Sequence, residues 1–134
     1  MDVTQWMRGL AAGPAGTALL PFGLCASPPV PVRPGVLRVR YFRMTGVEQG
    51  YVVEPALAEL TADWPDGRVR EYRALERDEA FLLSHAQARA QRAWNARYMD
   101  ALAAYLDGAA DKGALTALMD DPDNFLRPAY GGTA

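Results

Sequence analysis

The hydrophobic positions change period along this chain of 134 residues, and the changes divide it into three stretches. Residues 1–35 are rich in Gly and Pro, with one short run of helical spacing from Thr4 to Ala11. There Trp6, Met7 and Leu10 share a face small enough to dock on something larger. Residues 36–74 switch to the period of two that marks a strand. In "VLRVRYFRM", Leu37, Val39 and Tyr41 fall on one face and Arg38 and Arg40 on the other.

The next pair of strands can be put in register from its turn. "WPDG", Trp64 to Gly67, offers Pro at the first corner of a type I turn and Gly where φ must be positive. Counting back from Trp64 opposite Arg68 places Ala62 by Arg70 and Leu60 by Tyr72 on one face. Asp63 by Val69, Thr61 by Glu71, and Glu59 by Arg73 fall on the other, the last an opposite-charge pair on a solvated face. Pro55, within "YVVEPALAEL", removes a ladder donor and so predicts an edge, a bulge or a strand start. "TGVEQG", residues 45–50, reads as a flexible connection.

From Asp78 the period becomes helical. Asp78 is a candidate N-cap and Gly108 a candidate C-terminal stop, with no Gly or Pro between them. About 30 residues would make roughly 45 Å of helix. Leu82, Leu83, Ala86, Ala90, Ala93, Trp94 and Ala101 gather on one arc, and Gln91 and Asn95 lie on the polar side. Arg97 and Asp100 break the apolar arc and are spaced to pair with each other. A short last helix is expected from Lys112 to Met119 behind an Asp111 cap, stopped by Asp121-Pro122.

These elements predict a single α+β domain over 1–134. Its parts are a Gly/Pro-rich segment (1–35), a β region (36–74) and a helical region (78–134). The architecture expected is an antiparallel sheet of about three strands packed against one long helix, with short terminal helices. Half the residues are hydrophobic and the net charge is −2, so the chain has the makings of a core and no global pull toward nucleic acid or anionic membrane. Thirteen arginines stand against one lysine, Lys112, a bias that reads as a GC-rich bacterial genome. The apolar N-terminal run is broken by Pro14 and Pro21 and carries Asp2, which argues against a signal peptide. A cytoplasmic protein without a membrane segment is the expectation.

Candidate chemistry is sparse. Pro28-x-x-Pro31-x-Arg33 has the spacing that SH3-type domains read, but it leads directly into a strand, and a stiff strut is the reading taken. Cys25 and His85 are the sole residues of their kinds, which leaves no intrachain disulfide. Nothing nearby builds them into a nucleophile and base, and they supply too few ligands for a structural metal site. "DDPDN", residues 120–124, lacks the glycine and distal glutamate of a calcium loop and reads as a helix stop.

No cofactor or metal is expected, and the chain reads as non-catalytic. The leading expectation is a small interaction or assembly protein, a homo-oligomer or the holder of a protein partner. Its interface would lie on the long helix at Ala86, Ala90, Ala93, Trp94 and Tyr98, because small side chains permit close approach and aromatic ones anchor it. The alternative is an anionic-ligand binding protein or enzyme with its pocket between sheet and helix, lined by Arg70, Arg68, Trp64 and Arg97.

Overall fold

A computed structural model describes residues 2–12, 24–75 and 80–127. The described elements run α1 (Val3–Ala12), β1 (Leu24–Ala26), β2 (Val30–Arg33), β3 (Val36–Val47), β4 (Gly50–Val53), β5 (Ala58–Asp63), β6 (Val69–Ala74) and β7 (Phe81–Leu83). After them come α2 (His85–Leu106) and α3 (Lys112–Met119). The strands form one seven-stranded antiparallel sheet, so the expected three-stranded sheet against a single long helix is wrong. Three features hid the extra strands. Prolines mask β1 and β2, Pro55 splits β4 from β5, and β7 lies in an apolar run that the helical period had absorbed.

The seven segments lie on four lines. Tyr41 in β3 is opposite Ala26 on one side and Ala58 on the other, so β1 and β5 flank it. β4 and β5 are successive parts of one line, interrupted at residues 54–57, where Glu54 N–H donates to the Arg43 carbonyl and Leu57 N–H to that of Tyr41. Pro55 sits inside that interruption, as its missing donor requires. β6 and β7 form the outermost line, paired to β5 and β4 respectively. "TGVEQG" is not a loose connection. β3 runs through Val47 and β4 begins at Gly50, leaving Glu48 and Gln49 as the turn. Gly50 is obligatory there, since a Cβ would lie 2.3 Å from the Leu83 carbonyl oxygen.

The proline stretch is a strut. Pro28, Pro29 and Pro31 are buried, Val30 pairs with Arg38, and Pro31 pairs with Leu37. Ser27 bridges the break between β1 and β2: its N–H donates to the Arg40 carbonyl and its hydroxyl accepts from Arg40 N–H. Both prolines of the Pro28-x-x-Pro31 spacing are therefore turned into the fold, and of the motif's three defining residues Arg33 alone is exposed.

Helix boundaries follow local signals. Asp2 and Gln5 cap α1 reciprocally, the Asp2 carboxylate accepting from Gln5 N–H at 2.8 Å. Ser84 and Gln87 form a capping box at the start of α2. That Ser-x-x-Gln signature shortens the expected helix to 22 residues, roughly 33 Å. The expected Asp78 cap lies outside the described residues. Gly108 takes φ +78° just after the Asp107 C-cap, the stop the sequence predicts. Asp111 caps α3 by accepting from Gly113 N–H.

Two apolar clusters make the core. Leu37, Val39 and Tyr41 of β3 and Ala58, Leu60 and Ala62 of β5 pack with Trp6 and Leu10 of α1. Phe42, Val53 and Leu83 pack with Trp94, Tyr98 and Leu102 of α2, together with Val3, Leu115 and Leu126. β3 thus belongs to both clusters. The buried stripe of α2 is Ala88, Gln91, Trp94, Tyr98 and Leu102, rotated from the expected arc. Ala86 and Ala93 are exposed, whereas Gln91 is 3% exposed.

Gln91 is buried because it closes a polar network. Its Oε1 accepts from the N–H groups of Phe125 and Leu126, and its Nε2 donates to Asn95 and Asn124. Asn124 in turn donates to the Met119 carbonyl, and Trp94 Nε1 donates to that of Leu118 at 2.7 Å. These bonds hold α3 and the following turn against α2. Gln91→Leu should strand the two amides and cost about 3 kcal/mol, read as a lowered urea midpoint with an unchanged m-value.

Candidate interaction surface

The hairpin β5–β6 brings together most of the polar groups singled out in the sequence. Its lower pairs are as counted from the turn: Glu59 with Arg73, Leu60 with Tyr72 and Thr61 with Glu71. Above Thr61 the register slips by one, and Ala62 faces Val69 instead of Arg70. The slip belongs to a different turn from the type I form expected. The Trp64–Pro65 peptide is cis and Gly67 N–H donates to the Asp63 carbonyl, while Gly67 keeps the predicted positive φ of 76°.

That turn anchors α1. Trp6 Nε1 donates to the Asp63 carbonyl, and the Trp6 and Trp64 rings meet edge to face at 5.8 Å. Trp64 is therefore packed by an indole. Arg70 pairs with Asp63, and with Arg68 and Val69 they line an open, polar groove of about 280 Å³. Arg97 is not part of it. It pairs with Asp121 at 3.2 Å and Asp123 at 3.7 Å beyond α3, not with Asp100. The Asp123 N–H and then Arg97 hold the Asp121 carboxyl below the usual aspartate range. Of the expected pocket, Arg68 and Arg70 line one groove, Trp64 lies against Trp6 of α1 instead, and Arg97 stands apart.

The expected helix interface divides as well. Trp94 and Tyr98 are stacked at 5.1 Å and fully enclosed by the chain's own core. Ala86 and Ala93 are exposed and Ala90 is half-buried. Cys25 is half-buried in β1 opposite Phe42, and the exposed His85 has its ring against that of Tyr51. Among the described residues no group of three His, Cys, Asp or Glu side chains is placed to hold a metal ion, and no helix is long and apolar enough to cross a membrane.

What sequence reasoning missed is that β6 is the last strand of the sheet among the described residues. Five of the six residues of β6 are exposed, including Tyr72 at 43%, and among the described residues nothing is hydrogen-bonded to its outer side. Leu75 N–H donates to the Leu57 carbonyl, so Arg73 and Glu71, two and four residues back, also address β5. Tyr72 and Ala74 then point their N–H and C=O groups away from the sheet. One face of this edge carries a charged row. Arg40 on β3 bonds Glu59 on β5 at 2.7 Å, and Arg73 on β6 bonds the same carboxylate at 3.1 Å. Glu71 follows with no ion pair among the described residues. The alternation of arginine with acid across neighbouring strands was legible at Glu59 and Arg73. That it ended at an open edge was not.

Arg38 lies beside this row. Burial and then the charge of Arg40 lower its pKa, and the ion pairs among the described residues leave it out. The Tyr98 hydroxyl is enclosed without a hydrogen-bond partner among the described residues. Burial pushes its pKa up, against the opposing charge of Arg38. No family model, curated protein or solved structure matches this chain.

Glu59 gives the row a pH signature. Burial would raise its pKa, but the hydrogen bond and charge of Arg40, with Arg38 and Arg73, outweigh that and hold it below the ordinary value of 4.5. A depressed folded pKa supplies stability above the ordinary value and loses it as pH falls through the folded one. The stability difference between wild type and Glu59→Gln should therefore be present at pH 7 and shrink toward pH 3. Paired urea titrations at the two pH values measure it.

Proposed function

We propose that this chain is a small assembly protein that associates through the open edge of its sheet at β6. The observation that carries this reading is the outer side, unpaired among the described residues, of a six-residue strand whose Tyr72 and Ala74 present backbone donors and acceptors outward. Such an edge is a template for another strand. Proteins that do not use one blunt it with Pro, charged side chains, a bulge, a covering element or a very short strand. Arg70, Glu71 and Arg73 put charge on β6 and its register shifts beside Arg70, but the charges alternate in sign, so a strand of matching pattern can meet them. β6 has no proline and is among the longer strands here. Strand addition at an edge takes affinity from main-chain hydrogen bonds and specificity from alternate side chains. The α2 face is less suited than its sequence implied, because its two aromatic anchors are spent on the core and its exposed side offers only alanines among charged and polar residues.

Native mass spectrometry of the purified protein and two variants separates the surfaces. Tyr72→Pro removes an outward N–H that β5 does not use, so the fold should persist while assembled species disappear. Ala86→Arg/Ala93→Arg should leave assembly intact. The opposite pattern would return the interface to the helix.

A second reading rests on Arg38 and Tyr98. A half-buried guanidinium outside the ion pairs among the described residues, whose charge reaches an enclosed hydroxyl with no hydrogen-bond partner among them, is a setting that an anionic group would complete. Tyr98→Phe should be neutral or stabilising by about 1 kcal/mol in the free protein, since it removes an unsatisfied buried group. If an anion binds there, the same substitution should reduce the rise in Tm produced by millimolar phosphate. An equal rise in both proteins would dismiss this site.

A further inference from the structure

We infer that the strand received by β6 is β6 of a second copy of this chain, paired antiparallel about a two-fold axis through Tyr72. This rests on the edge reading above and adds the partner and the register.

Symmetry restricts the pairing severely. Two identical edge strands paired antiparallel are related by a two-fold axis normal to the joint sheet, and such an axis keeps every side chain on its own face. Residues directly opposite each other share a face, and the face alternates along a strand. A residue can therefore oppose residues an even number of positions away, and one residue must oppose its own copy. In β6 the possible centres are few. Centring on Arg70, Glu71 or Arg73 sets like charges face to face. Centring on Val69 or Ala74 leaves most of the strand unpaired. Tyr72 remains.

At that centre each side of the axis is complementary. Tyr72 opposes Tyr72, Arg70 opposes Ala74, and Glu71 opposes Arg73 twice. Tyr72 is an outward-pointing residue, so the central pair exchanges both N–H···O=C bonds, and the ladder extends on either side as far as the register shift beside Arg70 allows. Glu71 and Arg73 then fall at the non-hydrogen-bonded positions, where opposite side chains approach most closely.

The charged row becomes continuous. On one face Arg40, Glu59 and Arg73 of one copy meet Glu71 of the second, and the same row runs back from the second copy to Glu71 of the first. Arg73 would gain a second carboxylate, and Glu71 would gain a counter-charge that no described residue of its own chain supplies. On the opposite face the half-exposed Tyr72 ring, which is paired with the buried Leu60, would be covered by its own copy. The four-line sheet of one chain becomes an eight-line sheet across two.

Charge variants test the register. Sedimentation equilibrium should give a dimer for the full chain. Glu71→Arg and Arg73→Glu each create like-charge pairs across the axis and should each weaken the dimer at least tenfold. Mixed in equal amounts they should form a heterodimer, because each altered position then meets its opposite charge. Independently of those charges, oxidised Tyr72→Cys should cross-link to itself in a Cys25→Ser background, since a hydrogen-bonded pair has Cα atoms about 5.5 Å apart, within disulfide range. Glu71→Cys should not.

A chain that stays monomeric at several hundred micromolar overturns the inference. So does a Tyr72→Cys variant that fails to link while an assembly persists. If Tyr72→Pro abolishes assembly but the mixed charge variants do not pair, the edge reading stands and this partner and register fall. If Tyr72→Pro changes nothing, both fall together.

Discussion

Burial of β3 on both faces is the constraint from which the other contacts follow. Leu37, Val39 and Tyr41 belong to the cluster under α1, and Phe42, one residue on, belongs to the cluster under α2. A strand buried on both sides needs neighbours on both edges, or its central amides would lie unbonded away from water. The β1–β2 line and the β4–β5 line supply them. Each is broken, and each break is closed by a specific bond: Ser27 replaces a missing ladder partner for Arg40, and Glu54 and Leu57 bracket the gap around Pro55. The flanking lines bend around a continuous centre.

The cost of this arrangement falls on the outermost line. Once β3 and β5 are enclosed, little apolar surface is left to cover β6, whose side chains are mostly Arg, Glu and Tyr. Polar content on both faces of a strand weakens the usual register signal. Here the Glu59 carboxylate, held by Arg40 and Arg73 together, sets that register on the inner side. The same alternation of charge is what would set it on the outer side.

Parts of the surface were readable from the residues. The WPDG turn led to Glu59 opposite Arg73 and Leu60 opposite Tyr72, because hairpin register follows from turn position wherever no bulge intervenes. It failed above Thr61, where a cis Trp64–Pro65 peptide and a one-residue slip replace the expected turn. The buried stripe of the long helix was misplaced for a different reason. Alanine carries little hydrophobic signal, so Ala86, Ala90 and Ala93 could be drawn to either side of the stripe, and Gln91 was assigned to water by its polarity. Gln91 is interior because two amides of the 120–127 turn need an acceptor there, a demand from residues more than 30 positions away.

Local sequence settled the elements that answer to neighbours in the chain. The Asp111 cap bounds α3, Gly108 stops α2, the alternation of Leu37, Val39 and Tyr41 makes a strand, and Pro55 interrupts one. Each is a matter of backbone geometry or period within a few residues, and no distant contact is needed to decide it. The tertiary structure alone decided that Phe81–Leu83 pairs with β4 instead of starting the helix, that prolines 28, 29 and 31 lie buried in a strand line, and that β6 is an edge. Those outcomes depend on which segments compete for the sides of β3, and a strand's position in a sheet is a property of its neighbours.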